Sequence, residues 1–297
     1  MSRQLPRTTT LAAGLAGLLA LGALLGWGAI GGDDEEPAKS ESASTSAPTE
    51  EPAEKPELPA ADDLPELEEG FEAIAPGELL GRIAEAQRAA GSWEVSSVAT
   101  SAGEESPPVL QQLMYTDSGA NFRIQMAADD KEIEGGLVEG LYVDENFYLK
   151  GLNPKKWSQR WYQVPNDDRV LASFQSMLQG STAASLTAFG EPAGYEVVGI
   201  EDATELDDDV VRTVHYRLQV DPSAAMGASG ATEELLTLDI WVDAEDRPVQ
   251  IESSIASGED EYSSALYYSD YGKEFELSAP ARSDVTKRRP PAMRVKE

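Results

Sequence analysis

The chain has 297 residues, which is enough for one sizeable domain or two small ones with tails. Acidic residues outnumber basic ones 54 to 23, and the formal net charge of −31 excludes a general nucleic-acid binder, because a phosphate backbone requires a basic surface. There is no cysteine and only one histidine, which excludes disulfides, thiolate sites and most histidine-based zinc or acid–base chemistry. We therefore expect a binding or structural module that is not an enzyme and uses no cofactor or metal.

The N-terminal residues 1–32 predict export. Residues 11–30 carry no charge, two arginines precede them, and four acidic residues follow at 33–36. A spanning helix needs about 20 apolar residues, whereas the apolar stretch of a cleavable signal peptide has about 7–15. The flanking charges place the N-terminus inside and the rest of the chain outside. A retained anchor in the cell membrane is favoured, and cleavage near residues 29–32, which would release a secreted protein, is the alternative.

Residues 33–69 have the composition of a disordered linker. They are rich in Pro, Ala, Ser and Thr, and they carry 14 acidic residues against Lys39 and Lys55, a local net charge of −12. Such a segment buries too little apolar surface to offset the entropy lost on ordering. We expect it to act as an extended stalk that holds the folded domain, residues 70–284, away from the membrane.

Two segments of the domain have helical periodicity. In residues 77–90 the apolar positions include Leu79, Leu80 and Ile83, with Gln87 on the same stripe, and Gly91 ends the pattern. In residues 166–179 the stripe contains Val170, Leu171, Phe174, Met177 and Leu178. Both patterns predict amphipathic helices that pack against a sheet.

The rest of the domain alternates with the period of β-strands. Val109, Gln111 and Leu113 share one strand face, and residues 137–143 and 147–150 predict a hairpin that turns at 144–146. Further strands are predicted in four segments, which are 211–220, 236–242, 249–255 and 262–268, and a last one at 274–278. About ten serial strands with two helices predict an α+β fold with a largely antiparallel, strongly curled sheet. Residues 285–297 are expected to form a loose basic tail.

No catalytic pattern stands out along the chain. His215 falls on the polar, outward side of its predicted strand, together with Thr213 and Arg217, and we expect it to be exposed. No nucleophile elbow and no phosphate-binding glycine loop occurs.

Several segments together resemble one protein family. They read LYVDENFYL at 141–149, GYEVVG at 194–199, IWVD at 240–243 followed by RPV at 247–249, YSDYG at 268–272 and SAP at 278–280. Their order and spacing resemble the LppX/LprG group of actinobacterial envelope lipoproteins, relatives in fold of the LolA carrier, over residues 77–281. The resemblance implies an antiparallel half-barrel with helices across its concave face, an apolar cavity, and binding of acyl chains during lipid or lipoprotein transport. This chain lacks the lipidated cysteine typical of that group, so attachment would depend on residues 11–30.

These expectations define a candidate site on the apolar strand faces and the facing helices. The residues expected to line it are Leu80, Ile83, Leu113, Phe122, Ile124, Phe174, Met177, Leu238, Ile240, Val249 and Ile251. The expected partner is an envelope lipid or acylated molecule, with an envelope transport protein as a further partner. The competing interpretation is a non-enzymatic interaction or sensor module whose half-barrel is filled by its own side chains, since core and lipid-lining positions have the same pattern.

Overall fold

The computed structural model describes residues 58–101, 103–116, 119–127, 137–151, 160–166, 171, 174–175, 180–206, 209–222, 235–257 and 260–288. The predicted membrane segment at 11–30, residues 33–57 of the predicted linker and residues 289–297 of the predicted tail lie outside this part. Within it, no helix is long and apolar enough to cross a bilayer.

The described chain forms one large sheet. Its strands are β1 Ser92–Ser101, β2 Glu104–Glu105, β3 Val109–Thr116, β4 Gly119–Ala127, β5 Leu137–Val143, β6 Asn146–Lys150, β7 Trp161–Val164, β8 Gly194–Thr204, β9 Val210–Val220, β10 Leu236–Val242, β11 Pro248–Ser257, β12 Asp260–Ser269 and β13 Val285–Thr286. Their order is β13-β7-β6-β5-β4-β3-β1-β12-β11-β10-β9-β8, and β2 pairs with β1 beside this path. All neighbours are antiparallel except β13 and β7.

The sheet is open and strongly curved. Its edge strands, β13 and β8, lie at opposite ends of the strand order. Cα atoms of β8 and β11 nevertheless come within 8 Å, although two strands separate them. Strands in a flat sheet are about 4.8 Å apart, so that distance would be about 14 Å without curvature. The predicted α+β class and the curled, largely antiparallel sheet are confirmed.

Two helices with bounds in the described chain, α1 Pro76–Ala90 and α2 Ala183–Leu186, cover one face of the sheet. The first predicted helix is confirmed, and Gly91 ends it in the left-handed conformation with φ 77°. In the region of the second predicted helix, Leu171, Phe174, Gln175 and Gly180 are helical. The 3₁₀ helix Thr187–Phe189 follows α2 directly.

The strand register places the apolar side chains on the helix-covered face. Leu113 lies opposite Trp93 and Phe122, and Ile240 lies opposite Ile251 and Tyr216. These side chains and those of the helices form one continuous core. Since the main core lies on this side, an interior apolar site is expected between the sheet and the helices.

A second, smaller core lies on the opposite face of the sheet. Leu141, Val143 and Tyr148 point outward from β5 and β6, and Phe275 and Leu277 pack on them. The strand that the sequence predicts at 274–278 does not form, because this segment lies over the back of the sheet without pairing in a ladder. The alternation of Phe275 and Leu277 reflects this packing.

Both ends of the described chain extend the domain beyond its predicted limits. Leu67 packs against the main core, and Glu68 contacts Arg212 at 3.0 Å, so the fold begins before residue 70. Val285 and Thr286 pair with β7, so it also continues beyond residue 284. Short polar segments such as these carry no periodic signal in the sequence.

Candidate functional site

The candidate lining residues converge on the helix-covered face. Nine of them belong to its continuous core, namely Leu80, Ile83, Leu113, Phe122, Ile124, Phe174, Leu238, Ile240 and Ile251. Val249 is buried outside that core, at the bulge where β11 shifts register against β10, because the extra residue interrupts the alternation. Met177 lies outside the described residues.

These side chains are packed by the protein itself. Ile83, Leu238 and Ile240 have 0% of their surface accessible, and the other described members of the set have at most 6%. Atoms that line a water-sized void keep accessible surface, so these positions are filled by neighbouring side chains. A ligand that binds here must therefore displace part of the cover.

A polar network crosses this apolar face beneath α2. The Ser181 hydroxyl donates to Gln111 Oε1 at 2.9 Å, and the Tyr268 hydroxyl donates to the Ser181 carbonyl at 3.2 Å. The backbone N–H of Ala183, the first residue of α2, donates to Gln87 Oε1 at 2.8 Å. Gln87 on α1 and Gln111 on β3 thus hold the segment that leads into α2 against the sheet.

The same region contains buried polar atoms that form no hydrogen bond. They are Nε1 of Trp93, Oγ of Ser97, Nε2 of Gln111 and Nε2 of Gln87. Burial raises the pKa of Tyr268 and of Tyr271, and the Gln87 amide beside both hydroxyls partly opposes that rise. Buried donors without a partner are uncommon in folded proteins and need an explanation.

At one end of α1, two tyrosines hold the chain that enters the helix. The Tyr216 hydroxyl accepts a hydrogen bond from the Ile74 N–H at 3.2 Å, and the Tyr195 hydroxyl donates to the Ile74 carbonyl. Burial raises the pKa of Tyr216 to about 12. A polar cleft of about 360 Å³ lies beside them, where Arg82 pairs with Asp246 at 2.7 Å. These contacts fix the helix entrance to β9 and to the β10–β11 turn.

His215 occupies a polar cluster on the outer face of the sheet. It points away from the core, as the sequence predicts, but only 5% of its surface is exposed because Trp241 stacks on it with ring centroids 4.2 Å apart. Its Nε2 lies 2.6 Å from Asp239 Oδ1 and its Nδ1 lies 3.2 Å from Glu201 Oε2. The expectation of an exposed histidine is wrong, since the cross-strand neighbour that covers it is 26 positions away in the sequence.

A shallow polar groove of about 470 Å³ also lies on this outer face. Its lining combines carboxylates with small hydroxyl side chains, including Glu105, Asp239, Glu252, Ser254 and Ser263. The groove offers no continuous apolar surface for an acyl chain.

Pattern analysis places two buried glutamines on apolar faces but gives no indication of their hydrogen bonds. Gln87 and Gln111 stand in the apolar phase of their helix and strand, and that position is the one signal that could have identified them. In the sequence, a glutamine at such a position looks like a polar break in the apolar pattern. In the structure, its amide is buried and forms hydrogen bonds.

Comparison with known proteins gives similarity at the level of the fold. No protein-family model matches the chain, and no curated protein matches it. The lipoprotein LppX of Mycobacterium tuberculosis is similar at 14% identity and a TM-score of 0.38, over 67% of this chain and 98% of LppX. MucB in complex with MucA(peri) is similar at 16% identity and a TM-score of 0.34, over 73% of this chain and 65% of MucB. A LolA superfamily protein of Nitrosomonas europaea is similar at 16% identity and a TM-score of 0.26, over 67% and 93% of the two chains.

Proposed function

We propose that this chain is an extracytoplasmic envelope protein that binds the acyl part of a lipid or acylated protein between its sheet and its helices, for transfer or sequestration. The observation that carries the proposal is the continuous apolar face, which extends from β7 to β9 across an open sheet. Among the described residues with helix bounds, one helix of 15 residues, the four-residue α2 and the 3₁₀ helix Thr187–Phe189 cover it.

In this proposal, the affinity for an acyl chain comes from removing its methylene groups from water. Each methylene group removed from water contributes about 0.8 kcal/mol, so a chain of about twelve carbons gains on the order of 10 kcal/mol before the costs of binding. No charged residue is needed for that step. This agrees with the apolar composition of the helix-covered face.

Displacement of the cover is the conformational step that binding requires. Neighbouring side chains of the protein occupy the space around the interior residues. A bound acyl chain must therefore take the place of side chains from the covering elements. The four-residue α2 is too short to be stable alone, and hydrogen bonds to Gln87 and Gln111 hold the segment that leads into it. We propose that α2 and the adjoining 3₁₀ helix move away from the sheet when a chain enters.

A second function is favoured by the tightness of the packing. Exposures of 0% at Ile83, Leu238 and Ile240 suit a non-enzymatic interaction or sensor module with a filled core. In that case an envelope partner would contact the outer surface.

Native mass spectrometry of the full chain, purified from its own host, separates the two functions. We expect a co-purifying species heavier than the chain by the mass of a lipid, which is lost on collisional activation. A mass equal to the polypeptide alone, together with no uptake of added fatty acids, would leave the filled-core module as the function.

A further inference from the structure

Three buried polar groups with no hydrogen-bond partner are neighbours on the sheet. In the pairing of β1 with β3, Trp93 lies opposite Leu113 and Ser97 lies opposite Val109, so Gln111 is the diagonal neighbour of both. Diagonal neighbours in an antiparallel pair are about 7–8 Å apart, within reach of long side chains. Gln111 therefore lies between Trp93 and Ser97 on this face, directly opposite Val95, with each of them a diagonal neighbour of its side chain.

Gln87 supplies the same kind of group from the helix above. Gln87 binds Ala183 and Gln111 binds Ser181, so the two amides lie on either side of a three-residue segment. Each uses its oxygen as an acceptor, the Nε2 atom of Gln111 has no acceptor in hydrogen-bonding geometry, and the Gln87 amide lies beside the Tyr268 and Tyr271 hydroxyls. Gln87, Trp93 and Gln111 are at most 2% exposed.

The chemistry of these unpaired atoms determines which kind of hydrogen-bond partner they lack. Amide NH₂ and indole N–H groups only donate, so the missing partner must be an acceptor. The groups that form this network, Gln87, Trp93, Ser97, Gln111 and Tyr268, are all uncharged. An ionised carboxylate would be costly to bury among them without a cation, whereas a neutral carbonyl oxygen would not.

We propose that this network is the binding site for the ester or amide carbonyl at the head of a bound acyl chain. The proposal rests on the acyl-binding function proposed above and adds the position and chemistry of the head group. The carbonyl oxygen accepts hydrogen bonds from Gln111 and Trp93, and the methylene chain extends along the apolar face. Since the segment before α2 lies over this place, the same movement admits the chain and exposes the donors.

The test uses three probes with the same carbon chain and different heads. They are methyl dodecanoate, which has an ester carbonyl, dodecanoic acid, which has a carboxylate at neutral pH, and dodecane, which has no oxygen. Affinities are measured by fluorescence displacement on the full chain held in an amphipathic polymer. We expect methyl dodecanoate to bind about tenfold more tightly than dodecane, the size of effect expected from hydrogen bonds to otherwise unpaired buried donors.

The variant Gln111→Met keeps the length of the side chain and removes the amide. We expect methyl dodecanoate to lose about tenfold in affinity relative to dodecane, and dodecane itself to bind no more weakly, because loss of the Ser181 bond only loosens the cover. Gln112→Met is the matched control, because Gln112 is adjacent on β3, lies on the opposite face and contacts Glu94 at 2.5 Å. It should leave both affinities unchanged. Trp93→Phe removes the second donor and provides an independent test if Gln111→Met does not fold.

The outcomes separate this inference from the proposed function. Binding of none of the three probes would overturn the acyl-binding function and the head-group site together. Equal binding of methyl dodecanoate and dodecane, with no effect of Gln111→Met or Trp93→Phe, would keep acyl binding but overturn the head-group site. Tighter binding of dodecanoic acid than of the ester would replace the neutral carbonyl with a carboxylate and contradict the proposal as stated.

Discussion

Ile240 is the residue at which a filled interior can best be probed. Its side chain is fully buried between Ile251 and Tyr216, opposite the cover. Ile240→Trp should lower the free energy of unfolding by about 1–3 kcal/mol, since extra atoms must fit into a packed site. If this face takes up acyl chains, the bulkier side chain should also weaken the uptake of a fluorescent fatty acid by about tenfold or more.

The control for Ile240→Trp is Leu235→Trp, at a position with 42% exposure just before β10. It should change neither stability nor uptake. Chemical denaturation and fluorescence titration provide the two measurements. Undiminished uptake by a folded Ile240→Trp protein would remove this residue from the site.

The raised pKa of Tyr216 makes the free energy of unfolding depend on pH in the alkaline range. Burial raises its pKa from 10.0 to about 12, so the folded state holds the hydroxyl proton more tightly than the unfolded state. The resulting stabilisation is complete below pH 10 and is lost between about pH 10 and 12, where only the unfolded chain ionises. This one group should account for a decrease of about 1.4 kcal/mol per pH unit in that interval.

The measurement is the free energy of unfolding from pH 9 to 12 in the parent and in Tyr216→Phe. The variant loses the hydrogen bond from Ile74 and should be less stable at pH 9, but its stability should fall less steeply above pH 10. The parent should still show a slope, because burial also raises the pKa of Tyr195, Tyr268 and Tyr271. Parallel curves for the two proteins would contradict the assignment to Tyr216.

At the scale of secondary-structure elements, the sequence predicts those strands that bury one face. β10 alternates without interruption and was predicted at 236–242 exactly as it forms. β1 was missed because it is central and buries serines as well as apolar residues, which removes the alternation. β8 contains a bulge between Val197 and Gly199 that shifts its pattern, and such a shift depends on its partner strand.

The hairpin of β5 and β6 offers a prediction at this scale. Its two-residue turn places Asp144 and Glu145 at φ 49° and 62°, the left-handed region, which asparagine and glycine tolerate better. Replacing the pair by Asn-Gly should raise the free energy of unfolding by about 0.5–1 kcal/mol. Urea unfolding should show a higher midpoint with an unchanged slope.

Asp246, with φ 61° in the β10–β11 turn, provides the comparison. Asp246→Gly relieves the same backbone strain, but it also removes the ion pair with Arg82 at 2.7 Å. Its gain should therefore be smaller or absent. A loss of stability in the Asn-Gly hairpin would show that the carboxylates at 144 and 145 contribute more than the backbone strain costs.

At the scale of the whole molecule, the sequence predicts the apolar residues of the candidate site but not the buried polar network beside them. Nine predicted residues share the core, because strand alternation determines which side faces inward for six of them and helical spacing does so for Leu80, Ile83 and Phe174. The glutamine network depends on which loop crosses above β3, and residues 111 and 181 are far apart in the sequence. The outer His215 cluster depends in the same way on the pairing of β9 with β10.

The limits of the folded unit give the last prediction. Leu67 packs on the core and Glu68 pairs with Arg212, whereas residues 33–57 carry most of the linker's acidic charge. A chain that starts at residue 58 should melt within a few degrees of one that starts at residue 33. A chain that starts at residue 70 loses the Leu67 contact, worth about 1 kcal/mol, and the solvent-screened ion pair of Glu68, which contributes little. One kcal/mol shifts the melting temperature of a domain of this size by about 2–4 °C, so the chain from residue 70 should melt about 2–4 °C lower. Calorimetry on the three chains decides this, and a large loss already at residue 58 would mean that the acidic segment itself stabilises the fold.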